Sequence, residues 1–224
     1  MPSVIETLAN SVAALRLAHP TRVGLDGPSA AGKTTLADAL AEVLGSMGRH
    51  VIRASIDDFH RPRHKYRSMR GEWTPRSYYD ESYDYLAFRD LLLRPLGPGR
   101  TRRCRTGIFD SFRDVPLEEE WLEARKTSIL VVDGAFLQRP EIRDDWDYVV
   151  WLDVDTETMV SRARLRDVAW VGSEDVVVER YRKRMIPAHA MYAELVGPID
   201  RADAVVDARN LNAPRLVRLA KARI

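Results

Sequence analysis

Eight consecutive residues carry the clearest chemistry in this chain. Gly27, Pro28, Ser29, Ala30, Ala31, Gly32, Lys33 and Thr34 match the phosphate-cradle pattern G-x-x-x-x-G-K-[ST] at every specified position. Glycines let successive backbone N–H groups turn inward around phosphate oxygens. A helix starting at Lys33 points its positive dipole end at the same anion. Lys33 can reach the outer phosphates of a nucleotide, and the Thr34 hydroxyl takes a Mg²⁺ ligand position. Thr35 follows at the edge of the same nucleotide loop.

Carboxylates stand where such a loop needs them. Asp133 ends the most apolar run, Ile129-Leu130-Val131-Val132. A carboxylate there orients Mg²⁺ directly or through water. Asp57 and Asp58 follow a second run, Val51 to Ile56, and precede Phe59 and His60. Strand ends in open parallel sheets face the ligand crevice. One of the two can therefore accept the proton of an acceptor hydroxyl while the γ-phosphoryl moves in line. The residues alone leave open which one acts; its neighbour and His60 are expected against the acceptor. Arg162 and Arg166 share a helix face, where guanidinium groups can fold over nucleotide phosphates and neutralise transition-state charge. Tyr79 and Phe109 are candidates to stack on a planar acceptor, whereas Tyr83 reads as core.

The elements that must position these residues follow from pattern. Ser3 caps a helix to about Leu17, closed by Pro20. Lys33 to Met47 and Asp84 to Leu93 have helical periodicity, as do Thr156 to Arg166, Ser173 to Leu195 and Ala213 to Ala222. Val23 to Asp26, Val51 to Ile56, Ile129 to Val132, Tyr148 to Leu152 and Ala204 to Val206 read as strands. The third and fourth are uniformly apolar, as in a parallel sheet covered on both faces. Alternation of strands and helices predicts a doubly wound α/β sheet with flanking helices. One domain is expected over 1–224. Residues 60–115 are too long for a connection and read as an inserted acceptor-facing region. Residues 162–175 read as a lid.

Composition excludes several classes. The chain has 224 residues, 35 Lys+Arg against 33 Asp+Glu, and 45% hydrophobic residues. The net charge of +2 with intermixed acids argues against a nucleic-acid-binding face. No apolar run approaches the roughly 18 residues that span a bilayer, and the N-terminus does not read as a signal peptide. A single cysteine, Cys104, excludes an intramolecular disulfide framework and fits a reducing cytoplasm. Of the 35 basic residues, 30 are arginine and five are lysine. Most of that excess reflects coding bias, but Lys33 falls where the loop demands lysine.

Taken in order, these residues resemble the uridine kinase and phosphoribulokinase family of P-loop kinases, uridine kinases above all, from about Thr21 to Asn210. Asp57-Asp58-Phe59-His60 stands where that family has D-S-F-Y. Tyr78-Tyr79-Asp80 and Tyr83-Asp84 are similar to its aromatic–Asp stretch, and Phe109-Asp110-Ser111-Phe112 to a later Tyr-Asp-Phe. Asp133-Gly134 matches its E-G. Ser161-Arg162-Ala163-Arg164-Leu165-Arg166-Asp167 is similar to its lid S-R-R-x-x-R-D, and Tyr181 to Pro187 to its Y-x-x-x-x-x-P. The resemblance implies a P-loop fold, Asp57 as base, ATP as co-substrate with Mg²⁺, and a nucleoside such as uridine or cytidine as acceptor. Self-association is a family expectation. Three places depart: Val171-Gly172-Ser173 replaces R-G-R, Ala163 replaces an Arg, and His60 a Tyr. Related kinases of pantothenate, glycerate and sugars or sugar phosphates share the frame with other acceptor loops. The basic residues Arg61, Arg63, His64, Lys65, Arg67, Arg70 and Arg76 would suit a phosphorylated acceptor, although a solvated loop explains them equally. A P-loop ATPase or switch without a small acceptor would explain Asp133 but not Asp57.

Overall fold

Strand β1 (Thr21–Asp26) runs through the middle of a six-stranded sheet and ends at the phosphate-cradle residues. The computed structural model of the chain describes residues 3–62 and 74–220. Arg63, His64, Lys65, Arg67 and Arg70 of the basic stretch lie outside the described residues. The other sheet strands are β2 (Val51–Ser55), β7 (Ile129–Gly134), β8 (Tyr148–Asp153), β9 (Ala204–Asp207) and β10 (Arg215–Leu219). Their spatial order is β10-β9-β8-β1-β7-β2, parallel except for β10. The uniformly apolar strands divide by alternation. Leu130, Val132, Val149 and Trp151 join one buried cluster; Ile129, Val131, Tyr148 and Val150 join the other. Side chains alternate across a strand, so a sheet with a cluster on each face needs apolar residues at nearly every position.

Helices cover both faces. On one lie α1 (Val4–Ala14), α2 (Lys33–Ser46), α5 (Thr156–Val171) and α6 (Glu174–Arg180), which contribute Leu8, Leu40, Met159 and Val177. On the other lie α3 (Pro75–Glu81), α4 (Tyr85–Phe88) and α7 (Ile186–Val196), with Tyr79, Phe88 and Tyr192. Helix α1 starts with a complete capping box: Ser3 and Glu6 each bond the other's backbone N–H.

Two expectations change, and the inserted stretch gains detail. Within segment 213–222 the described residues form no helix, because Arg215–Leu219 pairs antiparallel with β9 at the sheet edge. Pairing with β9 and packing of Leu216 on the core outweigh a helix-compatible composition. The long helix from Ser173 breaks into α6, a π-helical turn at Tyr181–Met185, and α7. Pro187 has no N–H to donate, and its ring crowds the carbonyl four residues back, which favours the wider turn. The stretch 60–115 is far from irregular where described. It holds α3, α4 continued by a π turn (Arg89–Leu93), and two two-residue strands that pair antiparallel with later ones: β3 (Arg103–Cys104) pairs β6 (Leu122–Glu123), and β4 (Phe109–Asp110) pairs β5 (Val115–Pro116). The short α8 (Pro198–Arg201) leads into β9.

Candidate active site

The phosphate cradle sits between β1 and α2. Gly27 has φ +154°, and a Cβ there would lie 2.6 Å from the Leu152 carbonyl oxygen, so only glycine fits. Gly32 caps α2 with φ +91°. Between them Ala30 also takes a left-handed backbone, φ 60°. These positive-φ residues bend the backbone tightly between β1 and α2. Lys33 donates to the Pro28 carbonyl at 2.7 Å. Burial pushes its ammonium below the usual lysine range, while the carboxylates of Asp133, Asp26 and Asp57 pull it back up.

Thr34 and Asp133, 99 positions apart in the chain, come together: Thr34 Oγ1 donates to Asp133 Oδ2 at 2.6 Å. Asp133 is buried, and its Oδ1 accepts from Arg53 Nη2 at 2.9 Å. Arg53 was not singled out by sequence. Its only signal was a lone charge inside an apolar strand. A hydroxyl and a single carboxylate are hard oxygen donors. They fit Mg²⁺, which keeps several waters and takes one or two protein oxygens beside substrate phosphates. No group of three or more His, Cys, Asp or Glu side chains suited to a metal occurs among the described residues.

Asp57 and Asp58 lie on a 3-10 turn (Ile56–Phe59) directly after β2. Their environments differ. Asp57 Oδ1 accepts from the Tyr83 hydroxyl at 2.9 Å, and its charge is felt by Lys33 and Arg166. Asp58 is pushed up to about 6 by burial and then by the charges of Asp57, Glu119, Asp133 and Asp110. Asp57 thus lies within electrostatic reach of Lys33 and Arg166, and Asp58 among several other carboxylates. Tyr83 is core, as expected, but its hydroxyl also holds Asp57. His60 packs edge-on against Tyr83 with ring centroids 5.2 Å apart.

Beneath the cradle lies a buried polar floor. The Ser29 amide donates to His189 Nε2 at 3.0 Å, so this nitrogen is the acceptor and the ring proton sits on Nδ1. Ser29 Oγ is 3.0 Å from the same nitrogen and 3.2 Å from the Tyr78 hydroxyl. Burial lowers His189 to about 3. Asp26, fully buried, accepts from Tyr192 at 2.5 Å, Gln138 at 3.2 Å and the Gly27 amide at 2.8 Å. Of these floor residues, the supporting roles of Asp26, Gln138, His189 and Tyr192 were missed. Nothing local in a helix such as α7 marks one histidine as a loop support.

The arginines divide. Arg166 donates to Asp167 Oδ1 at 2.6 Å and to the Tyr181 hydroxyl at 3.1 Å, and its charge reaches both Asp57 and Lys33. Arg162 donates to the carbonyls of Ala208 and Arg209 and, at 3.3–3.4 Å, of Ala31 and Ala30, tying the cradle to the loop after β9. Ala163, on the core side of α5, is fully buried. Beside the cradle a cavity of about 350 Å³ is lined by Gly32, Thr35, Leu152, Ala208, Leu211 and Asn212, among others.

The aromatic expectations are corrected. Tyr79 offers no open face for a planar acceptor. It is 4% exposed, with Phe136 at its edge and the Arg139 guanidinium 4.0 Å over its ring. Phe109 is likewise 4% exposed, in the β4–β5 hairpin. Both had looked available because aromatic residues in an inserted region carry no sequence mark that separates stacking from core.

Comparison with known proteins agrees with this architecture. A family model for the phosphoribulokinase/uridine kinase family matches residues 23–213. The uridine kinase of Schizosaccharomyces pombe is 29% identical over 197 residues, covering 80% of this chain and 40% of that protein. The uridine-cytidine kinase B of Dictyostelium discoideum is 27% identical, covering 78% and 70%. A solved structure of a possible uridine kinase from Bacillus stearothermophilus superposes with a TM-score of 0.71 at 26% identity, covering 90% of this chain and 96% of that one. A D-glycerate 3-kinase from Cryptococcus neoformans shares the fold, with a TM-score of 0.62 at 13% identity. With the match spanning nearly the whole sheet and both ends of the cradle, the chain belongs to the phosphoribulokinase/uridine kinase family of P-loop small-molecule kinases.

Proposed function

We propose that this protein transfers the γ-phosphoryl group of Mg-ATP to a hydroxyl of a nucleoside such as uridine or cytidine. The observation that carries the reading is the placement of Asp57. It stands at the end of β2, held by Tyr83, with its charge felt by the cradle lysine and Arg166. The cradle amides and Lys33 bind the phosphates and offset their charge. Asp57 takes the hydroxyl proton as the phosphoryl moves in line, and Arg166 offsets charge on the transferring group. Thr34 and Asp133 would hold Mg²⁺, which would offset the charge of the phosphates when bound. The cavity beside Thr35 and Leu211 is the seat for the donor's base. Residues 162–175, the end of α5 and the turn at Gly172, act as a lid that keeps water from accepting the phosphoryl group. Residues 60–115 form the acceptor side of a single domain.

The relatives' names support a nucleoside acceptor. One observation favours a second reading, an anionic acceptor such as glycerate or a sugar phosphate. Arg184, 5% exposed, lies 4.8 Å over the Tyr78 ring, and Tyr78 feels the charges of both Arg184 and Arg180. ADP release with Mg-ATP and uridine, cytidine, pantothenate, glycerate or sugar phosphates separates the two. Full-size ADP release without any acceptor would sink the kinase reading. Within it, Asp57→Asn lowers kcat by about 10²–10⁴ while ATP affinity stays near wild type. Normal turnover of that variant would remove Asp57 as the base.

A further inference from the structure

The buried Asp133 carboxylate has a partner that neither the phosphates nor the acceptor requires. Arg53 Nη2 donates to its Oδ1 at 2.9 Å. The same guanidinium reaches Asp38 Oδ1 through Nε at 2.9 Å and the Ala54 carbonyl through Nη1 at 2.6 Å. We propose that Arg53 is the positioning residue of the metal carboxylate. It takes one oxygen of Asp133, so that the other is presented together with the Thr34 hydroxyl to the divalent cation that accompanies the nucleotide. The inference rests on the kinase reading and goes beyond it by naming the group that orients the ligand.

The fold explains why an arginine stands there. In the parallel register Ser55 pairs with Asp133 and Arg53 with Val131. Arg53 and Asp133 therefore project from the same sheet face two residues apart, a diagonal that a long side chain spans. Asp38 lies four residues after Thr34 on α2, so both sit on one helix face. The contacts close a ring. Thr34 bonds Asp133 Oδ2, Arg53 bonds Asp133 Oδ1, and Arg53 returns to α2 through Asp38. A planar guanidinium with several donors in fixed directions can hold three acceptors at once; an ammonium is a point charge and cannot fix the carboxylate plane. Outer partners of this kind typically change metal affinity by about 10–100-fold when removed. Without Arg53, the buried Asp133 is free to rotate and loses the charge that offsets its desolvation.

The test measures binding rather than turnover. Mn²⁺ stands in for Mg²⁺, and free Mn²⁺ is followed by its paramagnetic resonance signal with ADP present at saturation. ADP affinity without metal is measured in parallel, and thermal melting checks that each variant folds. Arg53→Met weakens Mn²⁺ binding to the ADP complex about tenfold or more and leaves metal-free ADP affinity within about threefold. Arg53→Lys keeps the charge but not the geometry, and falls between. Asp38→Asn removes only the exposed bridge and stays within about threefold of wild type. Wild-type Mn²⁺ affinity in Arg53→Met or Arg53→Lys would overturn the proposal while leaving the kinase reading intact. Equal losses of metal-dependent and metal-free ADP binding would also overturn it, because they would reveal a general role in holding the strand. If the wild type binds Mn²⁺ no better with ADP than without, the metal site itself is wrong, and the assignment of Arg53 falls with it.

Discussion

The His189 imidazole accepts the Ser29 amide, lies 4.9 Å from the Phe136 ring, and stays neutral down to about pH 3. An unfolded histidine protonates near 6.5. Its folded value is therefore depressed. The stability it preserves is fully present above 6.5 and is lost as pH falls from 6.5 toward 3. At pH 5 that loss is about 2 kcal/mol. Asp58 acts in the opposite sense. Its folded value of about 6 lies above the unfolded one, so the fold gains stability as pH falls from about 6 toward 4. The two oppose each other, so the clean measurement is a difference. Between pH 7 and pH 5, His189→Asn should lose about 2 kcal/mol less stability than wild type in urea unfolding, because the Asp58 contribution is common to both and cancels. Parallel pH curves would mean that His189 is not buried neutral. The same residues show what sequence can carry at this scale. Lys33, Thr34 and Asp133 were legible because a fixed spacing, and a strand end, dictate them. Arg53, the Tyr83 hydroxyl and His189 were not, because each acts through a partner 80, 26 or 160 positions away.

At the scale of elements, hydrophobic period located the central strands and α2, since a sheet covered on both faces leaves little freedom of composition. It failed where tertiary contacts choose between two locally acceptable forms. Residues 213–222 carry a helix-compatible string, yet Arg215–Leu219 is the edge strand, anchored by Arg215 to Asp207 at 2.8 Å and by Arg218 to the Ala202 carbonyl at 2.8 Å. The strand assignment separates two adjacent residues. Leu216 faces the core, and Val217 is 67% exposed. Leu216→Ala should cost about 1–2 kcal/mol and Val217→Ala less than about 0.5, by urea unfolding. Equal costs would contradict the strand's facing. Helix α1 gives a second check on a legible feature. Ser3→Ala removes the capping box and should lower stability by about 1 kcal/mol, a shift in Tm of roughly 2–4 °C for a chain of this size. An unchanged Tm would show that α1 frays from its start in solution.

At the scale of the whole molecule, the phosphate cradle is where the two packed faces meet. Asp26, at its entrance, is bonded by Tyr192 of one face's helix α7 and by Gln138 from the loop after β7. Arg162, from α5 on the other face, bonds the cradle's own carbonyls and those of the loop after β9. A nucleotide seated there touches no single element in isolation. On the proposed reading it would brace the ends of β1 and β7, the start of α2 and the loop beside Leu211 together. Binding therefore stabilises the cooperative unit rather than a local loop, and the gain follows mass action. At about one hundred times Kd, Mg-ADP should add about 2.7 kcal/mol and raise Tm by roughly 5–10 °C in one sharp transition. Lys33→Ala should remove most of that rise at the same ligand concentration without lowering the ligand-free Tm, because a buried ammonium whose charge is disfavoured by burial contributes little to the empty fold. A two-step melt with ligand, in which only one part is protected, would show that the faces are not coupled through the cradle. A Lys33→Ala protein protected as well as wild type would show that the nucleotide binds elsewhere.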